Sequence, residues 1–211
     1  MIDIDAPNSD RLFKLFGING MSDRNEAVDA YLDARRRFDA FARLDSPELP
    51  EEDWDRPQVQ VYRWQVANFD SQAPYLFALG VTEEFGELAA AQKREDVIDA
   101  IGDAMVFACN MATARRLAMS ALAHESSFMM NVPQESGVAV GLLSHVTLKE
   151  DQRIRGMDNP ELARFGTYLA LVAVVDELRR FDADPWECFV ETAAKVIQRN
   201  WKSNAVTGGA A

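Results

Sequence analysis

The chain has 211 residues, 48% of them hydrophobic, which gives room for one large or two small domains with a real core and excludes disorder as its general state. A formal net charge of -12 argues against a general grip on duplex nucleic acid, whose phosphates are held by basic surfaces. Cys109 and Cys188 lie in apolar stretches without metal-ligand spacing, as reduced core cysteines do, and the longest apolar run, Leu169 to Val175, is far short of the roughly 20 residues of a membrane span. A cytoplasmic protein without a membrane partner is expected.

Met1 to about Ser22 shows no sustained period and reads as an irregular arm, whose Leu12, Phe13, Leu15 and Phe16 are suited to docking elsewhere. Asn25 to Arg43 has helical spacing, with Val28, Leu32, Phe38 and Phe41 on one face and Arg35, Arg36 and Arg37 expected to pair with Asp29, Asp33 and Asp39 on a solvated one. Pro47, Pro50 and Pro57 mark an acidic linker, so residues 1–58 are expected as an appendage and residues 59–206 as the main domain.

Beyond the linker almost every segment has helical spacing and strand alternation is nearly absent. Helices are expected over Val59–Asn68; Val81–Arg94, with Thr82 as N-cap; Asp96 to about Leu122; Val138–Lys149; Glu161–Arg180; and Pro185 to Trp201, capped by Asp184. A break falls at Asn131 to Gly137. The fold class is therefore all-α, a helical bundle or two packed helical hairpins.

Two acidic clusters, EEFGE at Glu83 to Glu87 and DAIGD at Asp99 to Asp103, stand one helical hairpin apart. Positions three and four apart share a helix face, so Glu83, Glu84 and Glu87 can converge with Asp99 and Asp103. Packed like charges repel unless pKa values rise or a cation intervenes. An all-oxygen set favours Mg²⁺, Mn²⁺ or Ca²⁺ over zinc or copper, and Mg²⁺ commonly completes its octahedron with waters and substrate phosphates. The same spacing equally suits a solvated acidic face, and spacing alone does not choose between them.

From Tyr62 to Trp201 the segments WQVANF, LGVTEEFGEL, DAIGDAMVF, LKEDQRIRG and VIQRNW follow one another in an order that resembles the MazG-like all-α nucleoside triphosphate pyrophosphohydrolases. That resemblance implies Mg²⁺-dependent cleavage of a nucleoside triphosphate to monophosphate and pyrophosphate. It places Glu84, Glu87 and Asp103 among the metal ligands. Where the family's ExxD motif has a glutamate, this chain has Ala100, and Asp99 is the substitute the spacing offers. A non-catalytic nucleotide- or protein-binding member of the same fold is the alternative that this departure keeps open.

The basic LKxxQxIRG stretch, which follows the EExxE helix directly in many relatives, stands here after an extra hairpin. Aligning LGVTEEFGELAAAQKRED with SGVAVGLLSHVTLKED puts Val140, Gly141 and Ser144 where the acids stood, which suggests a tandem pseudo-dimer of halves 59–131 and 136–206 with one degenerate half. Paired bundles in related enzymes leave a homo-oligomer open.

In the mechanism this implies, Glu84, Glu87, Asp99 and Asp103 hold the metal, and Glu83 or Glu87 takes the proton from an attacking water. Lys93, Lys149, Arg153, Arg155, Lys195 and Arg199 are the candidate phosphate cations, although Lys149, Arg153 and Arg155 equally suit a balance with nearby surface acids. Trp64 and Asn68 are candidates for contacting the base, with a core role open for the tryptophan. His124 and His145 have no catalytic dyad around them.

Overall fold

The computed structural model describes residues 2–3, 6–41, 48–50, 54–70, 72–122 and 136–203. Among them are eight α-helices, one 3₁₀ turn and no strand: α1 Pro7–Leu15, α2 Met21–Phe41, α3 Asp55–Phe69, α4 Pro74–Ala90, α5 Arg94–Ala114, the 3₁₀ turn Met119–Leu122, α6 Ser136–Asp151, α7 Pro160–Leu178 and α8 Pro185–Val196. The all-α expectation holds. The break expected at Asn131 to Gly137 and His124 fall wholly or mainly outside the described residues.

The organising element is α7, buried almost continuously from Leu162 to Leu178. A helix that is apolar all round has to sit inside other helices. Its start is set locally: Pro160 occupies the first turn, and the Asn159 side chain accepts hydrogen bonds from the Glu161 and Leu162 amides at 2.9 and 3.3 Å. Asp184 caps α8 in the same way, accepting from Trp186 and Glu187 at 2.7 and 3.2 Å.

Around α7, the hairpins α4–α5 and α6–α7 pack on each other through α4 against α6 and α5 against α7, while α8 and α3 lie along α5. Close approach of α5 to α8 requires Gly102, because a Cβ there would stand 2.0 Å from Thr192 Oγ1 and 3.1 Å from the Cys188 carbonyl oxygen. The helix α5 is long and apolar enough to cross a membrane, yet 67% of its apolar window is buried against the other helices. Cys109 and Cys188 are both free and buried.

The N-terminal arm is not irregular. Residues Pro7–Leu15 form α1, and Leu12, Phe13 and Phe16 enter the same core cluster as α7, with Phe13 edge-on to Phe165 at 5.6 Å and Tyr31 of α2 touching Phe165 and Tyr168 at 5.2 and 5.8 Å. Each such buried aromatic contributes roughly 1.5–3 kcal/mol. Only Leu15 of the four apolar side chains expected to dock remains exposed.

The start of α3 also joins the core. Asp55 accepts from the Ser120 amide and hydroxyl, both at 3.1 Å; Gln58 donates to Thr113 Oγ1 and the Leu117 carbonyl and accepts from the Met119 amide. These bonds tie the end of α5 and the 3₁₀ turn to a segment whose prolines and acids read as linker. Pro57 sits within the first turns of α3, where its missing N–H costs nothing.

Candidate functional site

The helices α4 and α5 are antiparallel, and their seam can be read rung by rung. The Glu84 carboxyl lies within the field of Asp103, a Cβ on Gly80 would collide with the ring of Phe107, and Phe77 shares a cavity wall with Asn110. Successive rungs are three or four residues apart on each helix, the spacing of one face. The acidic clusters therefore meet because hydrophobic packing of the two helices fixes their register.

Thr82 is not the cap expected of it. The helix begins eight residues earlier, at Pro74, and Thr82 lies mid-helix with its hydroxyl donating to the Ala78 carbonyl at 2.8 Å. Continuing α4 upstream of the acids places the whole cluster on a rigid element instead of at a helix end.

Glu84 is the focus of the cluster, with 8% of its surface exposed, while Glu83, Glu87 and Asp99 are exposed and Asp103 is half-buried. Burial, reinforced by Asp103, Glu87, Glu83 and Asp99 in that order, pushes its carboxyl up to about 8. Asp103 is raised as well, by burial and by Asp99 and Glu87, with Arg199 and Lys195 pulling the other way. Acids of α4 and α5 thus share one field with two cations from the end of α8. Among the described residues, however, no three His, Cys, Asp or Glu side chains form a ready-made metal group.

Ala100 is 2% exposed and packs into the core, whereas its neighbour Asp99 stands in solvent yet within the field of both Glu84 and Asp103. At this turn of α5 the carboxylate therefore stands on the flank of the seam.

The other sequence-derived candidates divide. Trp64, Asn68 and Arg199 line one open cleft of about 650 Å³ together with Lys202. In it the Trp64 indole N–H donates to the Arg199 carbonyl at 2.9 Å, and Asn68 donates to the Trp64 carbonyl at 2.9 Å and accepts from the Trp201 amide at 2.6 Å. These polar groups hold the turn that follows α8 and places Arg199; α8 itself ends at Val196, short of the expected Trp201. Lys93 is exposed at the N-cap of α5.

Lys149, Arg153 and Arg155 are not brought to the acids. Arg153 shares a pocket with Pro74, Tyr75 and Arg115 at the opposite end of the hairpin, roughly 18 Å along α5 from Asp103 at 1.5 Å per residue. Lys149 and Arg155 line a cavity of about 280 Å³ against Arg11 and Lys14 of α1, where burial and the cations Arg155, Lys149 and Arg11 hold the His145 imidazole below its usual range. Gly156, at φ 82°, lets the loop pass Asn8, since a Cβ there would meet the Asn8 side chain at 2.5 Å.

Arg36 and Arg37 pair with Asp33 at 3.1 and 2.6 Å as the sequence suggests, but Arg35 crosses to Glu161 of α7 at 2.6 Å. No protein-family model, curated protein or solved structure matches the chain.

Proposed function

We propose that the chain is a Mg²⁺-dependent nucleoside triphosphate pyrophosphohydrolase of the MazG-like kind, with Mn²⁺ as an acceptable substitute, releasing monophosphate and pyrophosphate. The observation that carries this reading is the burial of Glu84 amid the acids of α4 and α5, with Lys195 and Arg199 close enough to act on the charge of Asp103. A purely solvated acidic face would leave each carboxylate hydrated and would not push one of them up to about 8.

The residues fit a hard divalent ion: the donors are all carboxylate oxygens, they come from two helices in fixed register, and their mutual repulsion is relieved by a cation. Glu84, Glu87, Asp99 and Asp103 would hold it. When bound it supplies neutralisation of phosphate charge and a fixed place for the phosphate oxygens. Lys195 and Arg199 bind the remaining phosphate charge. Either Glu83 or Glu87, both exposed, accepts the proton of the attacking water.

The pairing of hairpins α4–α5 and α6–α7 is consistent with an internal duplication, one half keeping the acids and the other carrying the basic loop. The two equivalent starting helices are similar in length, 17 and 16 residues.

A non-catalytic nucleotide binder is favoured by one observation, the absence of a preassembled metal group among the described residues. Incubation with a panel of nucleoside triphosphates and Mg²⁺, assayed for pyrophosphate, separates the two. Release that requires the metal supports the hydrolase, and tight nucleotide binding without release sinks it.

A further inference from the structure

Two helical turns along the same seam from the acids lies a cavity of about 520 Å³, within the range of small-molecule sites. Phe38 of α2, Tyr62 and Gln65 of α3, Phe77 of α4 and Asn110 of α5 line it. Asn110 is seven residues from Asp103 and Phe77 seven from Glu84, so each pair shares a helix face and the offset is about 10 Å. Phe107, lying over Gly80, stands between the two places.

The polar groups around this cavity are unequally engaged. Gln65 donates to the Asp70 carbonyl at 3.2 Å, Thr113 accepts from Gln58 at 3.0 Å, and Arg116 pairs with Asp39 at 2.7 Å. Asn110, 6% exposed, has no side-chain hydrogen bond among the described residues. Its amide is not one of the fully enclosed unpartnered polar groups, so it opens onto the cavity and is free for a ligand. A carboxamide offers a carbonyl acceptor and two N–H donors side by side. Its complement is a planar group with a donor next to an acceptor on one edge, and the aromatic walls suit such a plane.

Resting on the hydrolase reading, we propose that this cavity receives the nucleobase of the substrate, with Asn110 pairing to the base edge while the ribose and phosphates run past Phe107 to the acids. The cleft at Trp64 and Asn68 is the weaker base site, because the indole and carboxamide there are already bonded to the main chain.

The test is binding of the four common nucleosides, which lack phosphate, to the full chain in EDTA by calorimetry or NMR titration. At least one nucleoside is expected to bind, and Asn110→Leu and Val66→Trp are each expected to weaken it at least about tenfold, or 1.4 kcal/mol. Val66 lines the cavity from an exposed position, so the indole fills space without entering the core. Removing an unspent amide should leave Asn110→Leu at least as stable as the wild type, which a structural role for Asn110 would contradict. No nucleoside binding, unchanged binding in both variants, or loss in Trp64→Phe alone overturns the proposal. Pyrophosphate release without nucleoside binding overturns the pocket and leaves the hydrolase standing; nucleoside binding without release does the reverse.

Discussion

Two carboxylates near helix surfaces, Glu84 and Glu161, meet opposite fates. Burial works to raise both. Around Glu161 it is outweighed, since the Tyr31 hydroxyl donates at 2.9 Å, Arg35 at 2.6 Å and Arg164 at 3.1 Å, and the carboxyl ends below its usual range. Around Glu84 nothing outweighs it, and every neighbouring charge adds to the rise. A half-buried charge that is fully partnered joins α2 to α7 and is explained by structure. One surrounded by its own kind has no such partner, and under the proposed function it is where a cation would bind.

The largest effect that would break the contrast concerns activity. Glu87→Gln and Asp103→Asn should each reduce pyrophosphate release by about 10³-fold or more, some 4 kcal/mol of barrier, with an unchanged helical circular dichroism signal. Turnover surviving in either variant would remove the acids of the seam from the chemistry.

Next in size, Glu161→Leu should cost about 2–3 kcal/mol in urea unfolding, because Tyr31, Arg35 and Arg164 lose a charged hydrogen-bond acceptor together. A cost below that of an ordinary surface pair would mean that the two carboxylates differ less than their surroundings suggest.

Glu84→Gln should act in the other direction and depend on pH. A carboxyl raised from 4.5 to about 8 takes up its proton on folding, so its contribution is fully present below pH 4.5 and is lost as pH rises through about 8. The metal-free variant should match the wild type near pH 4.5 and exceed it by roughly 1–2 kcal/mol above pH 8, less than the full shift implies because exposed acids around it are screened by water. Added Mg²⁺ should close that gap by stabilising the wild type alone. A difference independent of pH would show that Glu84 stays ionised throughout.

The smallest effects sharpen the packing on either side of the seam. Gly102→Ala should destabilise by about 1–2 kcal/mol, since the new methyl meets Thr192 and the Cys188 carbonyl at the contact of α5 with α8. Gly86→Ala, with nothing within 4 Å of the new Cβ, should stabilise α4 by about 0.5–1 kcal/mol. Thermal unfolding of the pair checks both signs.

Helical period, proline and cap chemistry were enough to read α7 and the Asp184 start of α8, and the acidic spacing already named the residues that share the Glu84 field, while the Asn159 cap of α7 came only with the structure. Residues 55–58 and α1 were misread for one reason: polar and proline-rich segments look like linkers until their partners, here Ser120, Thr113 and Phe165, are known. The Asn110 cavity left no local signal either, because one asparagine in an apolar helix is silent about what faces it. The sequence by itself determined the all-helical character and the set of acids, since both depend on spacings of three and four along one chain. Only the tertiary structure decided that Glu84 lies deepest, that Lys195 and Arg199 act on the charge of Asp103 while Lys149, Arg153 and Arg155 line other pockets, and that Phe77 and Asn110 share a cavity. Those outcomes depend on the register in which packed helices meet, and that register is set by the close fit of residues such as Gly80 under Phe107 and Gly102 against Thr192, far apart in the chain.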